Sequence, residues 1–128
     1  ASDVTPAFRD RLKLDSKRLK GIRESLKQVA NFPDPLGETV EHRTLKNGLD
    51  VRKVRSPLGV IFMIFESRPN VAIEAFSLGF KAGNALILRG GKESRNTVDV
   101  FYQLIQESLH EAGLPRECLI GIRDPDRS

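Results

Sequence analysis

At 128 residues, with 39% hydrophobic and 30% charged residues, the sequence has room for one domain with a real core and none for two of ordinary size. No run approaches the ~20 apolar residues of a membrane span, and the start lacks the charged-then-apolar pattern of a secretion signal, so the chain reads as cytoplasmic with no membrane partner. A single cysteine, Cys118, excludes an internal disulfide, and two distant histidines, His42 and His110, offer no metal-ligand spacing. The net charge of +4 is unevenly spread: thirteen Lys/Arg stand against eight Asp/Glu in residues 1–55, and eight against nine in residues 56–128. The excess falls on a helical stretch without interleaved aromatics, which is the pattern of a solvated face rather than of a nucleic-acid footprint.

In chain order, Thr5-Pro6 reads as a cap followed by proline at a helix start, and Asp15 as a second cap. From Ser16 to Ala30, Leu19, Ile22, Leu26 and Val29 recur at spacings of three and four, which makes one apolar stripe, while Lys17, Lys20, Arg23 and Lys27 fall elsewhere. Two prolines and a glycine between Asn31 and Gly37 end that helix. Thr39 to Leu45 and Leu49 to Ser56 then flank Lys46-Asn47-Gly48, in which Asn-Gly is a strong hairpin signal because both residues tolerate positive φ. So polar a ribbon is marginal alone, so it is expected to lean on another part of the protein or on another subunit.

Gly59 to Phe65 is an unbroken apolar run, predicted to be a strand buried on both faces of a helix-covered parallel sheet. Glu66 to Asn70 is its exit loop. Pro69 disfavours helical geometry at Arg68, so Asn70 is expected to cap a helix over Val71 to Ala82, with Ala72, Ala75, Phe76, Gly79 and Phe80 on its buried side and Gly83 ending it. Ala85 to Leu88 is a second strand, with Arg89 to Ser94 as its exit loop. A longer helix follows from Asn96 to Ala112, turning Val98, Phe101, Ile105, Leu109 and Ala112 to the core, and Leu119 to Ile122 is a third strand. The fold class is therefore α/β: part of a Rossmann-like parallel sheet in βαβαβ order, with right-handed crossovers expected, preceded by a helix and a β-hairpin arm. The expected divisions are a helical segment at 1–37, the arm at 38–56 and a partial nucleotide-binding domain at 57–128. The absence of an initial Met and the abrupt Asp124-Pro125-Asp126-Arg127-Ser128 ending suggest a fragment.

Neighbouring parallel strands deliver their exit loops to one edge of the sheet, so Glu66 to Asn70 and Arg89 to Ser94 should face each other across a crevice where ligands bind. In the second loop, Gly90 and Gly91 let backbone approach, a helix N-terminus follows, and Arg89 and Lys92 add positive charge. That suits a phosphate, although Gly-Gly-Lys also serves as an ordinary tight turn. The GxGxxG fingerprint is absent. Asn70 reads as a helix cap whose amide could still donate to an oxyanion. Arg68 could hold an acidic substrate group or, the more ordinary role, pair with a nearby carboxylate; Glu66 could line the crevice or merely satisfy its loop. Cys118 has no histidine beside it and reads as a small buried residue rather than a nucleophile.

Pro57-Leu58-Gly59-Val60-Ile61, Glu66-Ser67-Arg68-Pro69-Asn70-Val71 and the run from Gly83-Asn84-Ala85 through Arg89-Gly90-Gly91-Lys92-Glu93 together resemble the gamma-glutamyl phosphate reductases, within the aldehyde dehydrogenase superfamily. The likeness extends to Asp10-Arg11-Leu12, Asp34-Pro35-Leu36-Gly37 and Asp124-Pro125-Asp126-Arg127, and so covers nearly the whole chain. The resemblance implies NADPH-dependent reduction of L-glutamyl 5-phosphate to L-glutamate 5-semialdehyde in proline biosynthesis, by way of a cysteine thiolate and a thioester. It implies that Asn70 stabilises the oxyanion, that Arg89 meets the adenosine ribose, and that Lys92 meets the 2′-phosphate that marks NADPH. Glu66, Ser67, Gly90 and Gly91 would line the cofactor crevice, and the hairpin would be an arm for self-association. The family's nucleophilic cysteine belongs to a catalytic domain that these residues do not include, since Cys118 does not match it, so the chain itself is expected to be inactive. A bifunctional kinase-reductase that makes the pyrroline carboxylate precursor and a free-standing nucleotide-binding module are the alternatives.

Overall fold

The structure, a computed structural model, describes Pro6, residues 14–66 and residues 68–123. The predicted helix start at Thr5-Pro6 (Pro6 excepted), the Asp10-Arg11-Leu12 stretch, Ser67 and the Asp124–Ser128 tail lie outside these residues. Helix α1 spans Ser16–Asn31, and the Asp15 carboxylate accepts from the Arg18 N–H, as its capping role requires. Of the predicted stripe, Ile22 and Val29 are buried while Leu19 and Leu26 stay partly exposed; among the described residues α1 packs chiefly on the helix that follows the third strand.

Strands β1 (Thr39–Thr44) and β2 (Asp50–Val54) pair antiparallel, with an irregularity between Thr39 and Glu41. The turn spans the expected Lys46-Asn47-Gly48, but Asn47 does not take positive φ. Only Gly48 has positive φ, at 85°, and its N–H donates to the Leu45 carbonyl at 2.9 Å while the Leu45 N–H donates to Leu49 at 2.8 Å. Lys46, Asn47 and Gly48 thus form a three-residue loop in which glycine alone takes the left-handed position. Every residue of both strands is exposed, so nothing among the described residues supports the hairpin.

Beyond it, β3 (Val60–Ile64), β4 (Ala85–Arg89) and β5 (Leu119–Gly121) form a parallel sheet in the order β3-β4-β5. Helix α2 (Asn70–Lys81) connects the first pair; a 3₁₀ turn (Lys92–Ser94) running into α3 (Arg95–Glu111) connects the second. Both helices end in the same way. After α2, the Gly83 and Asn84 N–H groups donate to Phe80 and Gly79; after α3, those of Gly113 and Leu114 donate to His110 and Leu109. Gly83 and Gly113 take φ of 80° and 75°, the left-handed stop that lets the chain reverse into the next strand. The buried Asn84 then ties this stop to the head of β3, accepting from the Gly59 N–H at 2.9 Å and donating to the Gly79 carbonyl at 3.0 Å.

The core lies between the sheet and its helices: Leu86, Leu88 and Leu119 from the strands meet Ala72 and Phe76 of α2 and Val98, Tyr102 and Leu109 of α3. Each Leu, Val or Phe among them removed from water contributes about 1.5–3 kcal/mol. Tyr102, absent from the predicted stripe, is 2% exposed, and its ring lies so flat on Gly121 that a Cβ there would sit 2.1 Å from Cδ2. Ala112, predicted to be buried, is exposed.

The prediction that the first strand is buried on both faces is not met. Val60, Phe62 and Ile64 are 65%, 54% and 62% exposed, because β3 is an edge strand and the helices cover only the side that Ile61 faces. Phe65, just past the strand, is buried instead.

Candidate functional site at the carboxyl edge of the sheet

Parallel pairing of β3 with β4 places Ile64 beside Arg89, so the two chains leave the sheet together. The Phe65 N–H donates to the Arg89 carbonyl at 2.9 Å, one step beyond the ladder. Glycine then lets the loops close on each other. A Cβ at Gly90 would stand 3.2 Å from the Phe65 ring, and one at Gly91 would stand 3.4 Å from the Glu66 backbone. Across this seam the buried Ser94 hydroxyl lies 3.3 Å from the Glu66 carbonyl, and equally far from the Gly91 carbonyl of its own loop, so its one hydrogen can link the two loops through Glu66.

The residues singled out from the sequence are thereby brought together on one rim, Ser67 being outside the described set. Glu66 is exposed past the end of β3, Arg89 is the half-buried last residue of β4, Gly90 and Gly91 are partly covered, and the exposed Lys92 opens the 3₁₀ turn. The side chains of Arg89 and Lys92 have no ion-pair or hydrogen-bond partner among the described residues, and Lys92 is the first residue of the 3₁₀ turn. The Arg68 side chain is exposed and has no ion-pair partner among the described residues.

Asn70 departs from its predicted role as a cap. It is the first residue of α2, Pro69 holds the cap position, and no side-chain cap bond forms. Its amide instead donates forward to the Glu74 carboxylate, Nδ2 to Oε1 at 3.0 Å. Proline accounts for the shift: its fixed φ, here −59° with ψ −34°, already starts the helix one residue early. One of the two amide N–H groups is left for another acceptor.

Cys118 ends a 3₁₀ turn at the amino end of β5, the opposite edge of the sheet, which removes it from the crevice. An apolar groove of about 670 Å³, lined by Leu26, Phe76, Phe80, Leu104 and Ile105 among others, lies between the three helices. No cluster of metal-ligating side chains occurs among the described residues, and none of their helices is long and apolar enough to cross a membrane. Sequence reasoning missed Ser94 and Glu74. Ser94 was legible only as the end of a loop, and the spacing of four between Asn70 and Glu74 was a signal available for the second.

No protein-family profile matches the chain. Relatives do. The chain is 47% identical over all of its 128 residues to gamma-glutamyl phosphate reductase of Dehalococcoides mccartyi and 51% identical over 124 residues to that of Aquifex aeolicus, covering 30% and 28% of those proteins. The crystal structure of gamma-glutamyl phosphate reductase from Thermotoga maritima superposes with a TM-score of 0.90 at 35% identity, over 97% of this chain and 30% of that one. In sequence and in fold, the chain is similar to gamma-glutamyl phosphate reductases over nearly all of its own length, and it spans about 30% of theirs.

Proposed function

We propose that these residues form part of the cofactor site, and one oxyanion donor, of an enzyme that reduces L-glutamyl 5-phosphate to L-glutamate 5-semialdehyde in proline biosynthesis, with NADPH as reductant. The observation that carries this reading is the seam at the carboxyl edge. Two loops meet through the Ser94 hydroxyl and the packing of Gly90 and Gly91 against Phe65 and Glu66, and the side chains of Arg89 and Lys92 stand without partners among the described residues. Such a seam fits a phosphorylated dinucleotide, because helix-opening N–H groups and unpaired cations favour dense negative charge. Arg89 would meet the adenosine ribose and Lys92 the 2′-phosphate, while Glu66 and Ser67 line the wall. When bound, NADPH supplies the hydride. Asn70 would donate its remaining amide N–H to the oxygen that becomes negative as the acyl carbon turns tetrahedral. The nucleophile would come from outside this chain, since Cys118 is on the wrong edge of the sheet.

The division into a helical segment (1–37), an arm (38–56) and a partial cofactor domain (57–128) belongs to the same proposal. An exposed two-stranded ribbon with both edges open is stabilised by pairing with a second copy, and this is the role we assign to the arm. The enzyme would work in the cytoplasm.

The test is Lys92→Ala, followed by titration with NADPH and with NADH. Affinity for NADPH should fall by about 1–3 kcal/mol, roughly five- to 150-fold, as for a charge-assisted hydrogen bond, while that for NADH stays put. Equal losses for the two cofactors, or none for either, would remove Lys92 from the 2′-phosphate site.

A further inference from the structure

We propose that Glu74 is a positioning residue for Asn70: its carboxylate fixes which end of the amide is held against helix α2 and which N–H remains for a ligand. The inference rests on the oxyanion role proposed for Asn70 and goes beyond it.

A side-chain amide has two orientations of similar energy, related by a half-turn that exchanges oxygen and NH₂. A donor to an oxyanion needs one of them. An ionised carboxylate has no hydrogen to give, so it admits only the NH₂ end, and the observed contact of 3.0 Å from Nδ2 to Oε1 is that arrangement. In the flipped state two oxygens would face each other at hydrogen-bond distance, and the repulsion removes that state. Both residues are half-buried and stand four apart on one helix, so the pair does not depend on the loop keeping its shape.

The rest of the surroundings leave Glu74 no other visible task. Among the described residues its carboxylate has no cationic partner, and the neighbouring Ser77 hydroxyl donates to the Glu74 backbone carbonyl rather than to the side chain. A negative charge one turn from a developing oxyanion opposes the reaction by its field. Orientation, not electrostatics, is therefore what the carboxylate supplies. This separates two variants. Glu74→Ala removes the lock; Glu74→Gln keeps an acceptor but can also present its own NH₂, so it restores the lock in part.

In the full-length reductase carrying this stretch, Glu74→Ala should lower kcat about tenfold with KM changed less than twofold, as expected when a reacting group is misplaced rather than lost. Glu74→Gln should lie between Ala and the parent. Asn70→Ala is the benchmark, at about 10²–10³-fold, the usual loss of an oxyanion donor. In parallel, the ¹⁵N side-chain amide signals of Asn70, assigned by their disappearance in Asn70→Asp, should shift toward free-amide positions in Glu74→Ala and less far in Glu74→Gln. A damaged Asn70→Ala enzyme beside an undamaged Glu74→Ala one overturns the positioning role and spares the oxyanion reading. An undamaged Asn70→Ala enzyme overturns both. Asn70 amide signals that ignore Glu74→Ala overturn the lock itself.

Discussion

The two faces of the parallel sheet are built from the same kinds of residue and meet opposite fates. On one, Leu86, Leu88 and Leu119 are 2%, 0% and 0% exposed beneath α2 and α3; on the other, Val60, Phe62, Ile64 and Ile120 are 46–65% exposed. Register makes this a property of whole rows, since Phe62, Ile87 and Ile120 stand side by side across the three strands. Apolar content alone therefore does not say what a residue contributes to stability. What decides is whether a helix has been laid over the face that the residue points to, and here both crossovers pack on the same side.

Leu88→Ala against Phe62→Ala is the sharpest way to break that contrast. The first opens a cavity in a core with 0% exposure and should cost about 2–5 kcal/mol in denaturant unfolding. The second trims a side chain that is already half in water and should cost well under half as much. Equal costs would mean that the Phe62 face is covered in solution. Next in size, Gly121→Ala forces a methyl to within 2.1 Å of the Tyr102 ring and should destabilise by about 1–3 kcal/mol through overpacking, because the ring is boxed in by β5 and α3.

Tyr102 also gives the covered face a dependence on pH. Burial first, and Asp99 second, push its phenol from 10.0 up to about 12, with Arg123 pulling the other way. The folded state thus holds the proton more tightly than the unfolded chain. The associated stability is complete below pH 10 and drains away as pH climbs toward 12, by roughly 2–3 kcal/mol in all. Tyr102→Phe should abolish that part of the alkaline loss. At neutral pH it should cost little, since the buried hydroxyl has no hydrogen-bond partner among the described residues to forfeit. A variant with the same alkaline profile as the parent would place the effect elsewhere.

How much of this was legible in the sequence follows the same division. The order of elements from Val60 to Gly121, the left-handed stops at Gly83 and Gly113, and the meeting of the Glu66 and Arg89 loops could be read directly, because local signals and parallel connectivity agree there. Burial of the Gly59 to Phe65 run could not. An unbroken apolar run says that both faces suit a dry environment, and not which of them this chain covers. Tyr102 escaped for a related reason: it lies beside the stripe of Val98, Phe101 and Ile105, and only the bare Cα of Gly121 makes room for its ring. At the rim, Asn70 was found but its partner was not, since the helix start moved back one residue at Pro69 and turned a presumed cap into the first member of an i, i+4 pair.

The smallest effect is expected in the hairpin, where the comparison can be carried to a second region. Its apolar residues resemble the bare face of the sheet: Val40, Val51 and Val54 are 43%, 37% and 49% exposed, with none of the described helices covering them. Substituting one should leave the unfolding free energy of the monomer within about 0.5 kcal/mol, as for surface positions generally. Val51→Lys therefore tests association apart from folding. If the arm pairs with a second copy, a charge in the middle of β2 should shift sedimentation toward the smaller species while the unfolding midpoint of dilute protein holds. Unchanged sedimentation in a parent that does associate would move the pairing surface away from the arm, and the uncovered row of Val60, Phe62 and Ile64 would then be the face to mutate next.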